Sequence, residues 1–174
     1  DDLCRTDDPE RPNETTDLPF AFNYYGTNRT SLNICPNGFV YFGSEHRYND
    51  SYNRNNNIPD NTPPDGMLAI AWTDVNPSSG RDSGVWVTKS AEQYVIAWRA
   101  PFYQGNITNT FAIKLTPDGS ITYYYQRLST EFPPIAGEVI TIGIESPEGN
   151  FGCCTIGVEG PDANYGVFFG DSTE

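Results

Sequence analysis

The chain has 174 residues, the size of one ordinary domain, and carries 23 acidic against 10 basic residues for a formal net charge of −13. That balance excludes a sequence-independent grip on nucleic acid or anionic lipid, since both need cationic surface. No apolar run approaches the roughly 20 residues of a membrane helix, and no signal peptide precedes Asp1, so for an exported chain the leader is expected to have been removed.

Residues 1–17 are polar and Pro-containing without periodicity, and read as an extended leader. Residues 18–174 read as a single domain of strands. Leu18–Tyr25 alternates around Phe20 and Phe22, and Ser31–Cys35 and Phe39–Phe42 flank the tight-turn signal Pro36-Asn37-Gly38. Residues 44–66 form a long Asn/Asp/Pro-rich loop, too polar to add much core, before Met67–Thr73 resumes as a buried strand.

The second half is more regular. Val85–Lys89 and Gln93–Arg99 follow, with Tyr94, Ile96 and Trp98 on one face of the latter. Thr110–Thr116 places Phe111, Ile113 and Leu115 inward and Lys114 outward. The turn Pro117-Asp118-Gly119-Ser120 then joins it to Ile121–Gln126 as a hairpin. Val139–Glu145, Cys154–Val158 and Tyr165–Phe169 complete the set. With no helical period of useful length, about ten short strands and long polar loops predict an all-β chain folded as an antiparallel β-sandwich.

Secretion is suggested by sequons and cysteines together. Asn13, Asn28, Asn49 and Asn106 each open an Asn-x-Ser/Thr triplet. Composition alone yields roughly two to three by chance, so their placement in polar segments matters more than their number. Cys4, Cys35, Cys153 and Cys154 are an even set allowing three pairings. Adjacent Cys153 and Cys154 close a strained ring if bonded to each other, and strand neighbours point to opposite faces. Each is therefore expected to reach a different partner, one Cys35 and the other Cys4. A zinc site is the rival reading, and it lacks a Cys-x-x-Cys pair.

Signs of chemistry are sparse. His46 stands alone in a polar loop, and neither His-Glu-x-x-His nor Gly-x-Ser-x-Gly occurs. A carboxylate pair working on glycosides is a remote alternative, because sequence spacing cannot place two carboxyls across a groove. Asp74, Asn76 and Asp82 share one loop and Asp60 and Asp65 another, offering oxygen ligands for calcium without an Asp-x-Asp-x-Asp-Gly pattern. Turn formation explains the same residues.

The run Ala69-Ile70-Ala71-Trp72-Thr73-Asp74-Val75-Asn76 resembles the Ala-Pro-x-Trp-x-Asp-x-Asp stretch of nidogen-like extracellular domains. Gly84-Val85-Trp86, Val95-Ile96-Ala97-Trp98, Asn109-Thr110-Phe111 and Asp118-Gly119-Ser120 follow in the same order. Upstream, Leu18-Pro19-Phe20-x-Phe22, Tyr25-Gly26 and Pro36-Asn37-Gly38-Phe39-Val40-x-Phe42-Gly43 resemble the opening of those domains. The chain is also similar to plexin-related and secreted bacterial β-sandwich modules. The resemblance spans about residues 18–127. It departs where Ile70 or Ala71 stands in place of the family's Pro, and the Cys153-Cys154 region lies outside it. It implies an extracellular module of adhesive, matrix or mucin-like proteins, and it supplies no functional residues to transfer.

The expectation is thus a secreted glycoprotein module, not an enzyme, without a required cofactor. It would act by contact with copies of itself or other extracellular proteins at the cell surface or in matrix. Tyr165–Phe169 is expected first to pair within its own domain, and the rival reading is strand addition through Tyr165, Val167 and Phe169, which would allow head-to-tail filaments. The alternative is a lectin-like module with Tyr48, Tyr52 or Tyr103 stacking on sugar rings.

Overall fold

The computed structural model describes residues 2–3, 14–43, 58–59, 61, 63–129, 140–157 and 165–169, with the backbone alone at 2–3, 14, 155–157 and 165–169. Among the described residues there is no helix, and twelve strands form two six-stranded antiparallel sheets. In chain order they are β1 (Asp2–Leu3), β2 (Glu14–Tyr24), β3 (Thr27–Cys35), β4 (Phe39–Tyr41), β5 (Met67–Trp72) and β6 (Gly84–Lys89). Then come β7 (Tyr94–Pro101), β8 (Thr108–Leu115), β9 (Ile121–Arg127), β10 (Ile140–Glu145), β11 (Gly152–Gly157) and β12 (Tyr165–Phe169). The front sheet runs β1-β6-β7-β8-β9-β12 and the back sheet β11-β10-β5-β4-β3-β2.

Period-two alternation builds the core between the sheets. Tyr94, Ile96 and Trp98, then Phe111, Ile113 and Leu115, then Ile121, Tyr123 and Tyr125 point inward from the front sheet. Phe22, Leu32, Ile34, Val40, Leu68, Ile70 and Ile140 meet them from the back sheet. Each such side chain contributes about 1.5–3 kcal/mol by leaving water.

Aromatic polar tips then fasten one sheet to the other. Tyr123 Oη donates to the Gly143 carbonyl at 2.8 Å, Tyr125 Oη to Ile70 at 2.6 Å, and Trp98 Nε1 to Cys35 at 3.2 Å. Burial holds Tyr123 and Tyr125 well above the ordinary phenol range, so both stay neutral donors.

The central strands β4 and β5 of the back sheet are buried on both faces. Cys35, Phe39, Tyr41, Met67, Ala69 and Trp72 form a second cluster on its outer side, and Ile58 from the long loop covers them. This explains why every residue of Met67–Trp72 is buried. Of the polar 44–66 loop, Ile58 is the described residue in this cluster, a single apolar side chain closing a small patch.

The leader expectation also changes. The leader was placed at 1–17, but Glu14–Asp17 pairs with Ile34–Ser31 in β2, because an edge strand tolerates polar residues. Asp2–Leu3 also pairs, with Trp86–Val85 of β6. Tyr165–Phe169 lies in its own sheet against Tyr125–Ile121, the first of its two readings, so Tyr165, Val167 and Phe169 complete this molecule's β9 edge and the rival assembly role is corrected.

Candidate functional site

The 69–76 motif turns out to be a structural clasp. Gly38 O accepts from both Ile70 N at 3.1 Å and Ala71 N at 3.0 Å, two residues against one, which bulges β5. That bulge turns Trp72 to the outer cluster while Ile70 keeps the inner one. Gly38 has φ +81°, and a Cβ there would lie 2.2 Å from Ala71 O, so only glycine fits. The neighbouring Asn37 accepts from Thr73 N through its carbonyl and from Val75 N through Oδ1 at 3.0 Å. Tyr103 N donates to Asp74 O and Asn76 N to Pro101 O, joining this loop to the end of β7.

The calcium candidates sit on that loop without converging. Asp74 is half-buried, Asn76 Oδ1 accepts from Ser78 N at 3.2 Å, and Asp82 is exposed. Among the described residues no three Asp, Glu, His or Cys side chains are placed to share a metal ion. Asp60 and His46 lie outside the described residues.

Sheet order rearranges the cysteine picture. Register partners run Cys35–Phe39–Ala69–Gly143–Cys154 across the back sheet. Four strand spacings, about 19 Å, therefore separate Cys35 from Cys154, against the roughly 4.4–6.8 Å between the Cα atoms of a disulfide. The expected bond from Cys35 to Cys153 or Cys154 is thus ruled out by topology, which sequence spacing cannot reveal. Both thiols of the pair are free, Cys153 exposed and Cys154 half-buried. Cys4 lies outside the described residues.

One end of the sandwich gathers exposed apolar groups. Tyr25 occupies the tip of the β2–β3 hairpin with φ 47°, in the left-handed region, followed by Gly26 at φ 77°. Such a two-residue turn favours Asn-Gly, so a tyrosine is an unusual occupant. Tyr25 stands edge-on to Tyr24 at 4.9 Å, and Tyr24 Oη reaches the Glu145 carbonyl at the end of β10. Partial burial, and then Glu145 and Cys153, push the Tyr25 phenol up. Phe151, in the turn before β11, is 68% exposed and Tyr25 is 48% exposed.

The sequons divide between described and undescribed segments. Asn106 is exposed in the β7–β8 loop, with room for a glycan. Asn28 is exposed within β3 near the hairpin tip, and its Oδ1 accepts from Asn23 Nδ2 at 3.3 Å. Asn13 and Asn49 lie outside the described residues, as do Tyr48 and Tyr52 of the sugar-stacking set. Tyr103 is 42% exposed.

Sequence reasoning missed Trp86, Arg99 and Tyr124, which stand on the outer face of the front sheet. The signal was available in strand parity: if 94, 96 and 98 point inward, 95, 97 and 99 point outward.

Two antiparallel sheets packed face to face make this a β-sandwich domain. A family model described as NIDO related matches residues 3–167, and the chain belongs to this nidogen-related family of extracellular-type domains. The match extends beyond the 18–127 stretch of recognisable motifs at both ends. No curated protein and no solved structure matches the chain.

Proposed function

We propose that this chain is an extracellular structural or adhesive module, acting by protein contact and not by turnover, with N-linked glycans on its exposed sequons. The observation that carries the reading is the β11 edge. Among the described residues β11 pairs only with β10, and its sequence, Gly-Cys-Cys-Thr-Ile-Gly, has no lysine, proline or charge to deter a further strand. β11 itself carries the exposed Cys153 thiol, and the turn that leads into it carries the exposed Phe151. Strand addition here by a segment of a second copy supplies main-chain hydrogen bonds, and the aromatic end supplies apolar contact. Repeated with a constant rotation, such a contact grows into a filament. In the oxidising secretory route the exposed thiol is able to lock it covalently.

The test is light scattering across a concentration series, joined to electron microscopy, for the wild type and for Cys153→Lys. A ladder of oligomers that disappears in the variant is expected. A wild type that stays monomeric at its highest soluble concentration would sink the reading. A sugar-binding module is the second reading, favoured by the aromatic outer face of the front sheet.

A further inference from the structure

The two sheets differ in what they leave to solvent. The outer face of the back sheet carries an apolar cluster with Ile58 packed on it, whereas the front sheet turns three orderly rows outward. The middle row is Trp86–Ala97–Ala112–Tyr124, register partners across β6, β7, β8 and β9. The row on one side is Gly84–Arg99–Thr110–Arg127, and on the other Thr88–Val95–Lys114–Thr122. Two alanines between two aromatic rings make a shallow trough, with the rings about 14 Å apart over three strand spacings. Cations border it on both sides.

Charge is sharply segregated. Strands β6 to β9 carry Lys89, Arg99, Lys114 and Arg127 and no carboxylate, in a chain of 23 acidic and 10 basic residues. The one acidic position in the front sheet's strands is Asp2, register partner of Trp86 at the far edge. Lys114 Nζ sits 5.6 Å from the Tyr124 ring centroid, so its charge is held over an aromatic face. Arg99 and Arg127 are exposed, and Tyr124 is 43% exposed.

From this geometry we infer that the outer face of the front sheet binds an acidic polysaccharide, one bearing sulfate or uronate groups. Flat rings stack on sugar faces, the alanine floor admits the ring between them, and the cations on either side donate to the anionic substituents. Arginine and lysine are donor-only groups, matched to an acceptor-rich polymer. The inference rests on the sugar-binding reading and is independent of strand addition at β11. A chain of net charge −13 repels polyanions at long range, so any capture of one must come from this local patch.

The experiment measures binding of the full chain to a heparin oligosaccharide, with neutral dextran and polyglutamate as comparison ligands. The expected result is binding to the heparin oligosaccharide alone. The Arg99→Ser/Lys114→Ser double variant should lose about tenfold in affinity and Trp86→Ala several-fold, with Arg81→Ser within about twofold of wild type. Both charge substitutions are on solvent-facing positions, so they test the site even if Trp86→Ala perturbs folding. No binding to heparin, or an unchanged double variant, overturns the inference. Equal binding to polyglutamate overturns it in favour of an acidic peptide partner, and equal binding to dextran retains the sugar reading while removing its acidic character.

Discussion

Gly38 shows what a single residue controls in this fold. Its carbonyl receives two successive amides of β5, and its missing side chain leaves room for Ala71 O. Gly38→Ala is expected to cost at least about 2 kcal/mol, because a left-handed backbone and a backbone collision combine. A lowered urea midpoint with unchanged slope would show it. Tyr125→Phe is a milder case: it removes the bond to Ile70 O between the sheets, for about 1 kcal/mol. A midpoint identical to wild type would show that this tie contributes nothing. The sequence marked Gly38 as a turn glycine from Pro36-Asn37-Gly38 alone. It did not reveal the bulge, which depends on a strand 30 positions away pressing against that turn. Similarly, alternation placed Tyr123 and Tyr125 inward, but no pattern in one strand says which carbonyl of another sheet the hydroxyl will meet.

At the level of strands, local alternation was sufficient for most of the chain and long-range order was not. The turn Pro117–Ser120 was readable because its chemistry is local: Thr116 Oγ1 donates to Asp118 Oδ1, and Ser120 N donates to the same oxygen at 3.1 Å. Those bonds hold the Asp118 carboxyl below its usual range. Cysteine pairing failed for the opposite reason, since it depends on strand order, and β3 and β11 stand four positions apart in the back sheet. Peptide mapping of oxidised protein is therefore expected to yield no Cys35–Cys153 or Cys35–Cys154 link within one molecule, and recovery of either would contradict the sheet order. The segment Tyr165–Phe169 was legible as a strand, and of its two readings, own-domain pairing and strand addition to a neighbour, the first is the one observed. Deleting residues 165–174 should expose the β9 edge at Ile121–Tyr125 and promote association, which light scattering would register. A deletion variant as monomeric as wild type would argue that β12 protects nothing.

For the molecule as a whole, pH acts through the tyrosines. Burial, with Tyr25 close by, raises Tyr24 well above 10.0, and burial raises Tyr123 and Tyr125 likewise. Their folded-state values exceed the unfolded ones, so the stability they confer is fully present below about pH 10 and is lost as pH climbs beyond it. Tyrosinate absorbance should therefore rise together with unfolding in alkali, and ionisation of these phenols with the circular dichroism intact would refute the coupling. The two outer faces have a further effect. On the outer side of the back sheet Ile58 packs with Phe39, Tyr41 and Trp72, whereas Arg99, Tyr124 and Arg127 of the front sheet stay exposed. Among the described residues the two sides are thus unlike, and a body of this kind tethered in a matrix has a heading, because a passing polyanion meets the cations of the front panel from one direction.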